Sequence, residues 1–344
     1  MHHVSYSGLR ILVCSYAFSP SVGGIEVASE TLAGEFARRE HEVKLVTQTP
    51  EPDRRERSFQ VIRQPGVREL WRLYRWADVV FQNNLSLRFL WPNFLAAKPC
   101  VVTTQTWLSG TANLETRFSR LKRAILRRCR NVAVSHAVAE HVGHPSVVLG
   151  NPYDARTFQR LPGVERTREL LFVGRLVSDK GLDLLLMALG RLRDFGLHPN
   201  LTIAGDGPER SQDEKLAREL GLGERVKFSG VVQGTELARL MNAHQILVVP
   251  SRWAEPFGIV AIESIACGCV VVGSEAGGLK EAIGPCGMSF KNGSVDDLTE
   301  VLRLALTQPD LTATWTREAE AHLSRFQAPE IAAKYLALFA QAQT

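Results

Sequence analysis

Cysteine is scarce in this 344-residue chain, which has six cysteines and no C-x-x-C pair. Zinc ribbons and thioredoxin-like redox sites need such a pair, so neither is predicted. Cys267 and Cys269 lie close together, but no second pair with zinc-site spacing accompanies them. Because most of the cysteines lie in or beside apolar runs, we predict buried thiols, a reducing compartment and therefore a cytoplasmic protein.

Long hydrophobic runs are also missing. No apolar segment approaches the ~18 residues that a membrane-spanning helix needs. The apolar stretch at residues 11–18 is short and has no cleavage-like site after it, so we predict a first strand rather than a signal peptide. The net charge of +5 is small, which favours an anionic ligand or surface over wrapping by nucleic acid.

Several catalytic signatures are absent. The pair Gly23–Gly24 follows the first predicted strand in place of the G-x-G-x-x-G of dinucleotide-binding folds, which disfavours a dehydrogenase. The G-x-S-x-G elbow of serine hydrolases does not occur. No D-x-D-like pair is present to hold a divalent cation beside a diphosphate, so no metal and no additional cofactor are expected.

Short apolar strands alternate regularly with helical patterns, and 45% of the residues are hydrophobic. This alternation predicts an α/β protein with mostly parallel sheets that helices cover on both faces. A polar connector at residues 154–168 separates two such series. We therefore predict two doubly wound domains, residues 1–155 and 156–328, with a ligand-binding cleft between them and a helical tail at residues 329–344.

The most informative segment is residues 251–263, SRWAEPFGIVAIE, in which Glu255 and Glu263 stand eight positions apart. The pattern predicts a glycine-bearing loop with one acid, followed by a helix with the other. The start of that helix offers backbone N–H groups to an anion, and a carboxylate beside it suits hydroxyl groups. Phosphate and hydroxyls together indicate a nucleotide sugar. Surface acids and the acid pair of a glycoside hydrolase are the alternatives.

A second informative segment, residues 172–181, ends a strand with Gly174 and carries Arg175 and Lys180. Two cations at the carboxyl end of a strand suit a diphosphate, and a solvated basic loop is the alternative. Glycines that follow other predicted strands permit either a close ligand or a plain turn. They are Gly23 and Gly24, Gly205 and Gly207, and Gly277 and Gly278.

A basic segment at residues 117–130 is predicted to be helical. Phe118, Leu121, Ile125 and Cys129 fall on one face of it, which indicates a core-facing stripe with a solvated basic back. The alternative is contact with an anionic membrane surface, which would make the protein peripheral at the inner face of a membrane. The basic residues are Arg117, Arg120, Lys122, Arg123, Arg127, Arg128 and Arg130.

Read in chain order, these residues resemble a known family, the retaining family 4 glycosyltransferases with a GT-B fold. The resemblance covers nearly the whole chain and is most specific at the E-x7-E element with its EPFG core. It implies two Rossmann-like domains that face a central cleft, with the last helix packing back on the first domain. The elements that carry it are Gly23–Gly24, Gly174–Arg175 with Lys180–Gly181, Gly205 to Pro208, Glu255 with Glu263, and Gly277–Gly278.

The resemblance also implies roles for single residues. Arg175 and Lys180 would hold the donor diphosphate and stabilise charge on the leaving group, and Glu255 would approach the donor sugar. Glu263 would bind the ribose hydroxyls. The other implied contacts to the donor come from Gly23, Gly24, Gly174, Gly205 and Gly207, and from the backbone N–H groups of Phe257, Gly258 and Ile259.

One position departs from the family pattern. Many relatives carry a histidine after the fourth strand of the first domain, where this sequence has Gln105. Glutamine cannot act as an acid or a base, although it donates and accepts hydrogen bonds. A retaining enzyme of this kind does not need a protein base, because the leaving phosphate takes the acceptor proton. Gln105 is therefore predicted to orient the donor sugar or the acceptor.

The resulting hypothesis is a retaining, metal-independent hexosyltransferase. It would move a sugar from a UDP- or GDP-linked donor to an acceptor hydroxyl, in the synthesis of a glycan, a lipid-linked glycan or a glycosylated natural product. The alternatives are an epimerase or hydrolase of nucleotide sugars on the same fold and a non-catalytic nucleotide-binding protein.

Overall fold

The computed structural model describes residues 8–21, 23–51, 56–108 and 116–343, except for the side chain of Phe118. The chain divides into two compact units. Unit 1 comprises Met1–Tyr153 together with Phe326–Thr344, and unit 2 comprises Asp154–Arg325. The last helix therefore belongs to the same unit as the first strand.

Thirteen strands lie in the described residues and form two parallel sheets. Those of unit 1 are β1 Arg10–Cys14, β2 Glu42–Thr47, β3 Gln60–Arg63, β4 Val79–Asn83, β5 Cys100–Thr104, β6 Arg130–Ala133 and β7 Val147–Val148. Those of unit 2 are β8 Arg168–Val173, β9 Leu201–Ala204, β10 Val226–Phe228, β11 His244–Val249, β12 Val270–Ser274 and β13 Gly287–Phe290.

Fifteen α-helices connect or follow these strands in the described ranges. The first eight are α1 Gly24–Arg38, α2 Val67–Trp76, α3 Leu87–Leu90, α4 Asn93–Ala96, α5 Arg117–Leu126, α6 His136–Val142, α7 Leu182–Leu192 and α8 Arg210–Glu219. The others are α9 Gly234–Asn242, α10 Ile259–Ala266, α11 Leu279–Ile283, α12 Val295–Thr307, α13 Pro309–Arg317, α14 Ala319–Ser324 and α15 Ala328–Gln343. Within these ranges, every helix is too short or too polar to span a bilayer.

Both sheets are doubly wound, which confirms the predicted fold class. The strand order is β3-β2-β1-β4-β5-β6-β7 in unit 1 and β10-β9-β8-β11-β12-β13 in unit 2. In unit 1, Ile11 pairs with Val43 of β2 on one side and with Val79 of β4 on the other. The winding reverses beside β1 and beside β8, and ligands of such sheets bind at the carboxyl ends of the strands at this reversal.

The core of unit 1 includes the last helix. Phe339 of α15 packs edge-on against Phe36 of α1, with ring centroids 5.4 Å apart, and Tyr335 packs against Phe81 of β4 at 4.9 Å. Tyr335 also shares a hydrogen bond of 2.8 Å with the hydroxyl of Thr103 in β5. These rings are buried, so α15 contributes core residues and is more than a surface appendage.

The cysteines confirm the prediction of buried free thiols. Five of them are buried, Cys129 is half-buried, and all six are free. Cys14 and Cys100 lie on central strands of unit 1. Burial raises the pKa of the Cys14 thiol, and a hydrogen bond with the Cys129 thiol, together with burial, raises the pKa of Cys100. Their role is therefore packing, as expected for small apolar side chains.

The basic helix differs from the prediction. It ends at Leu126, so Cys129 lies beyond it and does not share its face. Leu121, expected in the core-facing stripe, has 49% of its surface exposed, whereas Ile125 and Leu126 are buried. Thr116 caps the helix with its side chain, and the buried residues Ser119, Ile125 and Leu126 define an inward face that leaves Leu121 outside it.

Candidate active site

The predicted phosphate-binding segment of unit 2 follows β8, and the predicted acid loop follows β11. These strands are neighbours in the sheet at the point where the winding reverses. A short 3-10 turn, Ser178–Lys180, carries Lys180 from the end of β8 toward α7. The chain thereby brings Lys180 and Glu255, which are 75 positions apart, to the same edge of the sheet.

Lys180 and Glu255 form an ion pair, with 2.6 Å between Nζ and Oε1. The hydroxyl of Ser251 donates to the same carboxylate oxygen at 2.7 Å. The side chains of Lys180 and Glu255 retain 26% and 14% exposure. The pair is thus largely withdrawn from water but still accessible, so a bound ligand could reach both partners.

The backbone of Glu255 is held by the glycine pair after β12. The N–H of Gly278 donates to the carbonyl of Glu255 at 2.7 Å, and Gly277 forms a parallel bridge with it. Gly277 has φ +82°, and a Cβ there would overlap the Glu255 carbonyl oxygen. Gly277 and Gly278, which the sequence left open between a ligand contact and a turn, therefore brace the acid loop.

Contacts of Asn292 and Arg252 further fix the loop that precedes Glu255. The side-chain amide of Asn292 donates to the carbonyl of Ser251 at 3.1 Å and accepts from the N–H of Ala276 at 2.8 Å. The N–H of Arg252 donates to the carbonyl of Asp179 at 2.9 Å. Arg252 also forms a two-pronged ion pair with Asp183. Sequence reasoning assigned no role to Ser251 or Asn292, since neither carries a motif of its own.

The side chain of Arg175 is exposed and makes no hydrogen bond or ion pair with another described residue, although its carbonyl accepts from the N–H of Val177 at 3.1 Å. The backbone on both sides of it packs on the loop after β9. A Cβ at Gly205 would overlap the carbonyl of Gly174, and one at Gly207 would overlap the carbonyl of Leu176. This close approach accounts for glycine at both positions without a ligand. The predicted ligand contacts of Gly174, Gly205 and Gly207 stay predictions.

Helix α10 begins four positions after Glu255 in the chain. Gly258 is its N-cap residue with φ +111°, and Ile259 is its first residue. The first turn of a helix leaves backbone N–H groups without intrahelical acceptors, which favours an anion there. Phe257 has a buried side chain, so its predicted contact can come only from its backbone. The N-terminus of α10 offers backbone N–H donors, and the nearby ion pair offers the positive charge of Lys180 and the carboxylate of Glu255.

Glu263 lies one turn further along α10 and is 6% exposed. Burial raises its pKa from the ordinary 4.5 to about 8, and the negative charge of Asp154 adds to this effect. A buried carboxyl group in this state is stabilised by hydroxyl donors, which favour its ionised form. The predicted contact with ribose hydroxyls stays a prediction, and it suits this environment.

Gln105 in unit 1 belongs to a buried amide network. Its Nε2 donates to Oδ1 of Asn83 at 2.7 Å and to Oδ1 of Asn151 at 2.8 Å, and its Oε1 accepts from Asn151 Nδ2 at 2.8 Å. Asn83 in turn donates to Ser29 Oγ and to the carbonyl of Ile25 in α1. Both amide protons of Gln105 are therefore committed, and only the second lone pair of Oε1 is left for the predicted substrate contact.

The unit 1 glycines lie where the sequence predicts a βα turn. Gly23 is the N-cap residue of α1 with an extended backbone, and Gly24 is the first residue of the helix. A Cβ at Gly23 would meet only the side chain of Glu26. Because the backbone conformation does not itself demand glycine, an approaching phosphate is a consistent reason for it, and that contact stays a prediction.

No group of three or more His, Cys, Asp or Glu side chains is arranged to hold a metal ion in the part of the chain that the structure describes. The prediction of a metal-independent reaction is not tested by this and stays a prediction.

Two sequence models of protein families match adjacent parts of the chain. "Glycosyltransferase Family 4" matches residues 22–155, and "Glycosyl transferases group 1" matches residues 155–322. An uncharacterized glycosyltransferase of Methanocaldococcus jannaschii is 41% identical over 127 residues, which are 37% of this chain and 32% of that protein. The glycogen synthase of Mycobacterium tuberculosis is 37% identical over 181 residues, which are 52% of this chain and 44% of that protein.

A D-inositol 3-phosphate glycosyltransferase of Catenulispora acidiphila is 34% identical over 218 residues, 59% of this chain and 51% of that protein. The chain therefore spans a third to a half of the length of these curated relatives. Anabaena HepE, solved with UDP and glucose, superposes with a TM-score of 0.79 at 22% identity and covers 97% of this chain and 100% of that one. Sucrose-phosphate synthase from Thermosynechococcus elongatus gives 0.78 at 20% identity, with 97% and 98% covered. These likenesses confirm the GT-B fold.

Proposed function

The chain belongs to the family 4 glycosyltransferases, and from that premise we propose that it transfers a sugar from a nucleoside diphosphate to an acceptor hydroxyl with retention of anomeric configuration. The observation that carries the proposal is the 2.6 Å ion pair of Lys180 and Glu255 at the carboxyl edge of the unit 2 sheet. A cation suited to phosphate and a carboxylate suited to sugar hydroxyls lie there within one hydrogen bond of each other.

Arg175 and Lys180 are proposed to bind the donor diphosphate. Arg175 is exposed and offers a planar fork of N–H donors, whereas Lys180 offers a compact charge with three donors, one of which goes to Glu255. The N-terminus of α10 adds backbone donors. Negative charge builds on the diphosphate as its bond to the anomeric carbon breaks. Prearranged donors of this kind typically contribute ~10²–10³ in rate each.

Glu263 is proposed to accept hydrogen bonds from the ribose hydroxyls. Its buried position raises its pKa to about 8, so the free protein holds it mostly protonated near neutral pH. Two hydroxyl donors would favour the ionised form and offset the loss of hydration. A uridine or guanosine diphosphate is the proposed donor nucleotide.

The proposed reaction proceeds on one face of the sugar. The acceptor oxygen bonds to the anomeric carbon from the side that the diphosphate leaves, and the acceptor proton passes to the departing phosphate oxygen. The protein then needs no base, which agrees with the commitment of Gln105 to Asn83 and Asn151. Side-chain and backbone donors supply the positive charge, so we propose that the reaction is metal-independent.

Nucleotide release with and without acceptors tests this function. The protein is incubated with UDP-glucose or GDP-mannose, alone and with pools of lipid-linked, polysaccharide or small hydroxyl acceptors, and nucleoside diphosphate and sugar products are measured. Release that depends on an acceptor, with the sugar recovered on it, supports a transferase. Equal release without acceptor indicates a hydrolase, and conversion of the sugar without release indicates an epimerase. Binding without turnover indicates a non-catalytic binding protein.

A peripheral contact with an anionic membrane, on the cytoplasmic side, is a second proposal. Its support is the apolar side chain of Leu121, which is 49% exposed on a helix whose neighbours Arg117, Arg120 and Arg127 are exposed cations. An apolar residue among cations is typical of helices that lie at a lipid interface. Each basic residue near such a surface contributes ~1 kcal/mol.

Sedimentation with lipid vesicles tests the membrane contact. The proposal predicts binding to vesicles that contain anionic lipid and no binding to vesicles of neutral lipid. Arg120→Glu combined with Arg127→Glu should weaken the binding at least tenfold. Arg193→Glu combined with Arg225→Glu in unit 2 is the matched control. Equal binding by the two double variants, or no binding by the unaltered protein, contradicts the proposed membrane contact.

A further inference from the structure

Two donors converge on a single oxygen of Glu255. The hydroxyl of Ser251 lies 2.7 Å from Oε1 and the Nζ of Lys180 lies 2.6 Å from the same atom. Both hydrogen bonds of this carboxylate within the described chain end on Oε1, so Oε2 is the oxygen left for a ligand. The direction in which Oε2 points is therefore set by Ser251 and Lys180 together.

Ser251 is itself fixed from two sides. Its side chain is fully buried. Its carbonyl accepts from the Asn292 amide at 3.1 Å, and the next N–H, that of Arg252, donates to the carbonyl of Asp179 at 2.9 Å. A buried hydroxyl on a backbone that is held on both sides keeps one position whether or not a ligand is present.

Lys180 has a second proposed partner, the donor diphosphate. If it binds the donor diphosphate, it approaches a group with more negative charge than one carboxylate, and its attraction to Glu255 is shared. The hydroxyl of Ser251 is uncharged and has no such second partner. We propose that Ser251 is a positioning residue that keeps the Glu255 carboxylate aimed at the donor sugar while Lys180 is engaged by the diphosphate. This inference rests on the proposed function, because it requires a donor sugar at Glu255.

Ser251→Ala tests the inference through the difference between two ligands. Nucleoside diphosphate alone contacts Lys180 but carries no sugar, so its dissociation constant is expected to stay within twofold. The matching nucleotide sugar should bind about tenfold more weakly, since the Glu255 carboxylate loses the hydrogen bond that orients it toward the sugar. The kcat should fall by a similar factor. A purely structural defect would weaken both ligands alike.

Ser264→Ala is the matched control. Ser264 is also fully buried in unit 2, and its hydroxyl donates to the carbonyl of Ala261 at 3.0 Å. Ser264→Ala also removes one buried hydroxyl, but that hydroxyl does not contact Glu255. The dissociation constants of the nucleoside diphosphate and of the nucleotide sugar should therefore be unchanged. Equal behaviour of Ser251→Ala and Ser264→Ala would overturn the inference.

A double-mutant cycle with Glu255→Ala separates positioning from direct contact. If Ser251 acts through Glu255, Ser251→Ala has no further effect on nucleotide-sugar affinity once the carboxylate is gone. A full tenfold effect in the Glu255→Ala background would show that Ser251 acts on the ligand independently and would overturn its positioning role. Failure of the unaltered protein to bind any nucleotide sugar defeats the proposed function and this inference with it. If the unaltered protein binds a nucleotide sugar and Ser251→Ala binds it with the same affinity, the inference alone is overturned.

Discussion

Tyr335 in α15 and Thr103 in β5 share a buried hydrogen bond of 2.8 Å, although 232 positions separate them in the chain. Phe339, one turn later, fills the space between Phe36 and Phe81. The last helix thereby completes the core of unit 1 with both apolar and polar contacts. Its loss should expose the central strands of that unit.

Tyr335→Phe should lower the free energy of unfolding of unit 1 by about 1–3 kcal/mol, because the Thr103 hydroxyl stays buried without its partner. Urea unfolding followed by circular dichroism measures the change. Tyr16→Phe is the control, since Tyr16 is 57% exposed and should change stability by less than about 0.5 kcal/mol. Equal effects of the two substitutions would argue against the contribution of this hydrogen bond.

Lys180→Ala should reduce kcat at least ~100-fold, because it removes a cation from the proposed leaving group. The unfolding midpoint should change little, since Ser251 still donates to the remaining Glu255 carboxylate. Lys227→Ala, at an exposed lysine of β10, is the control and should turn over normally. Near-normal turnover by Lys180→Ala would remove Lys180 from the mechanism.

Glu263 should make the protein less stable as the pH rises. Its pKa is about 8 in the folded chain and 4.5 ordinarily, so the folded state binds more protons between these values. Stability from this group is fully present below pH 4.5 and is lost as the pH rises through about 8.

Glu263→Gln removes this dependence. In urea unfolding, the variant should match the unaltered protein in free energy of unfolding near pH 5 and exceed it by a few kcal/mol near pH 9. Glu224→Gln in an exposed turn should leave the pH profile unchanged. Parallel pH profiles of the unaltered protein and Glu263→Gln would contradict a buried, easily protonated carboxyl group at this position.

Gln105→Leu should destabilise unit 1 by about 1–3 kcal/mol, since it leaves the amides of Asn83 and Asn151 buried without their partner. Urea unfolding is again the measurement. Gln60→Leu, at an exposed position of β3, should have an effect within about 0.5 kcal/mol. An unchanged free energy of unfolding in Gln105→Leu would mean that the amide network does not stabilise unit 1.

The sequence was sufficient where local pattern decides structure. Strands such as β8 and β11 are largely buried, so each contains a continuous run of four apolar residues, at positions 170–173 and 246–249. The edge strands β3 and β13 were not predicted, because they are only half-buried and read as mixed polar and apolar residues. The spacing of Glu255 and Glu263 placed one acid in the loop and one in α10, as observed.

Side-chain partners that lie far apart in sequence could not be predicted. Asn292 is 41 positions from Ser251, and Asn151 is 46 positions from Gln105. A single asparagine in a turn carries no signal for such a partner, since the pairing exists only once the strands are assembled. The outward position of Leu121 was also missed, because the inward face of α5 includes the polar Ser119, which carries no apolar signal.

Thermal unfolding with nucleotides tests the central claim most directly. The protein is heated with UDP, GDP, ADP, dTDP and NAD, and with the 2′-deoxy form of any nucleotide that binds. A hundredfold excess over Kd adds about 2.7 kcal/mol of stability. The account predicts stabilisation by one nucleoside diphosphate, reduced for its 2′-deoxy form and for Glu263→Gln, and lost in Lys180→Ala. No stabilisation by any of these ligands in a well-folded sample would contradict the assignment of this site to a nucleotide-sugar donor.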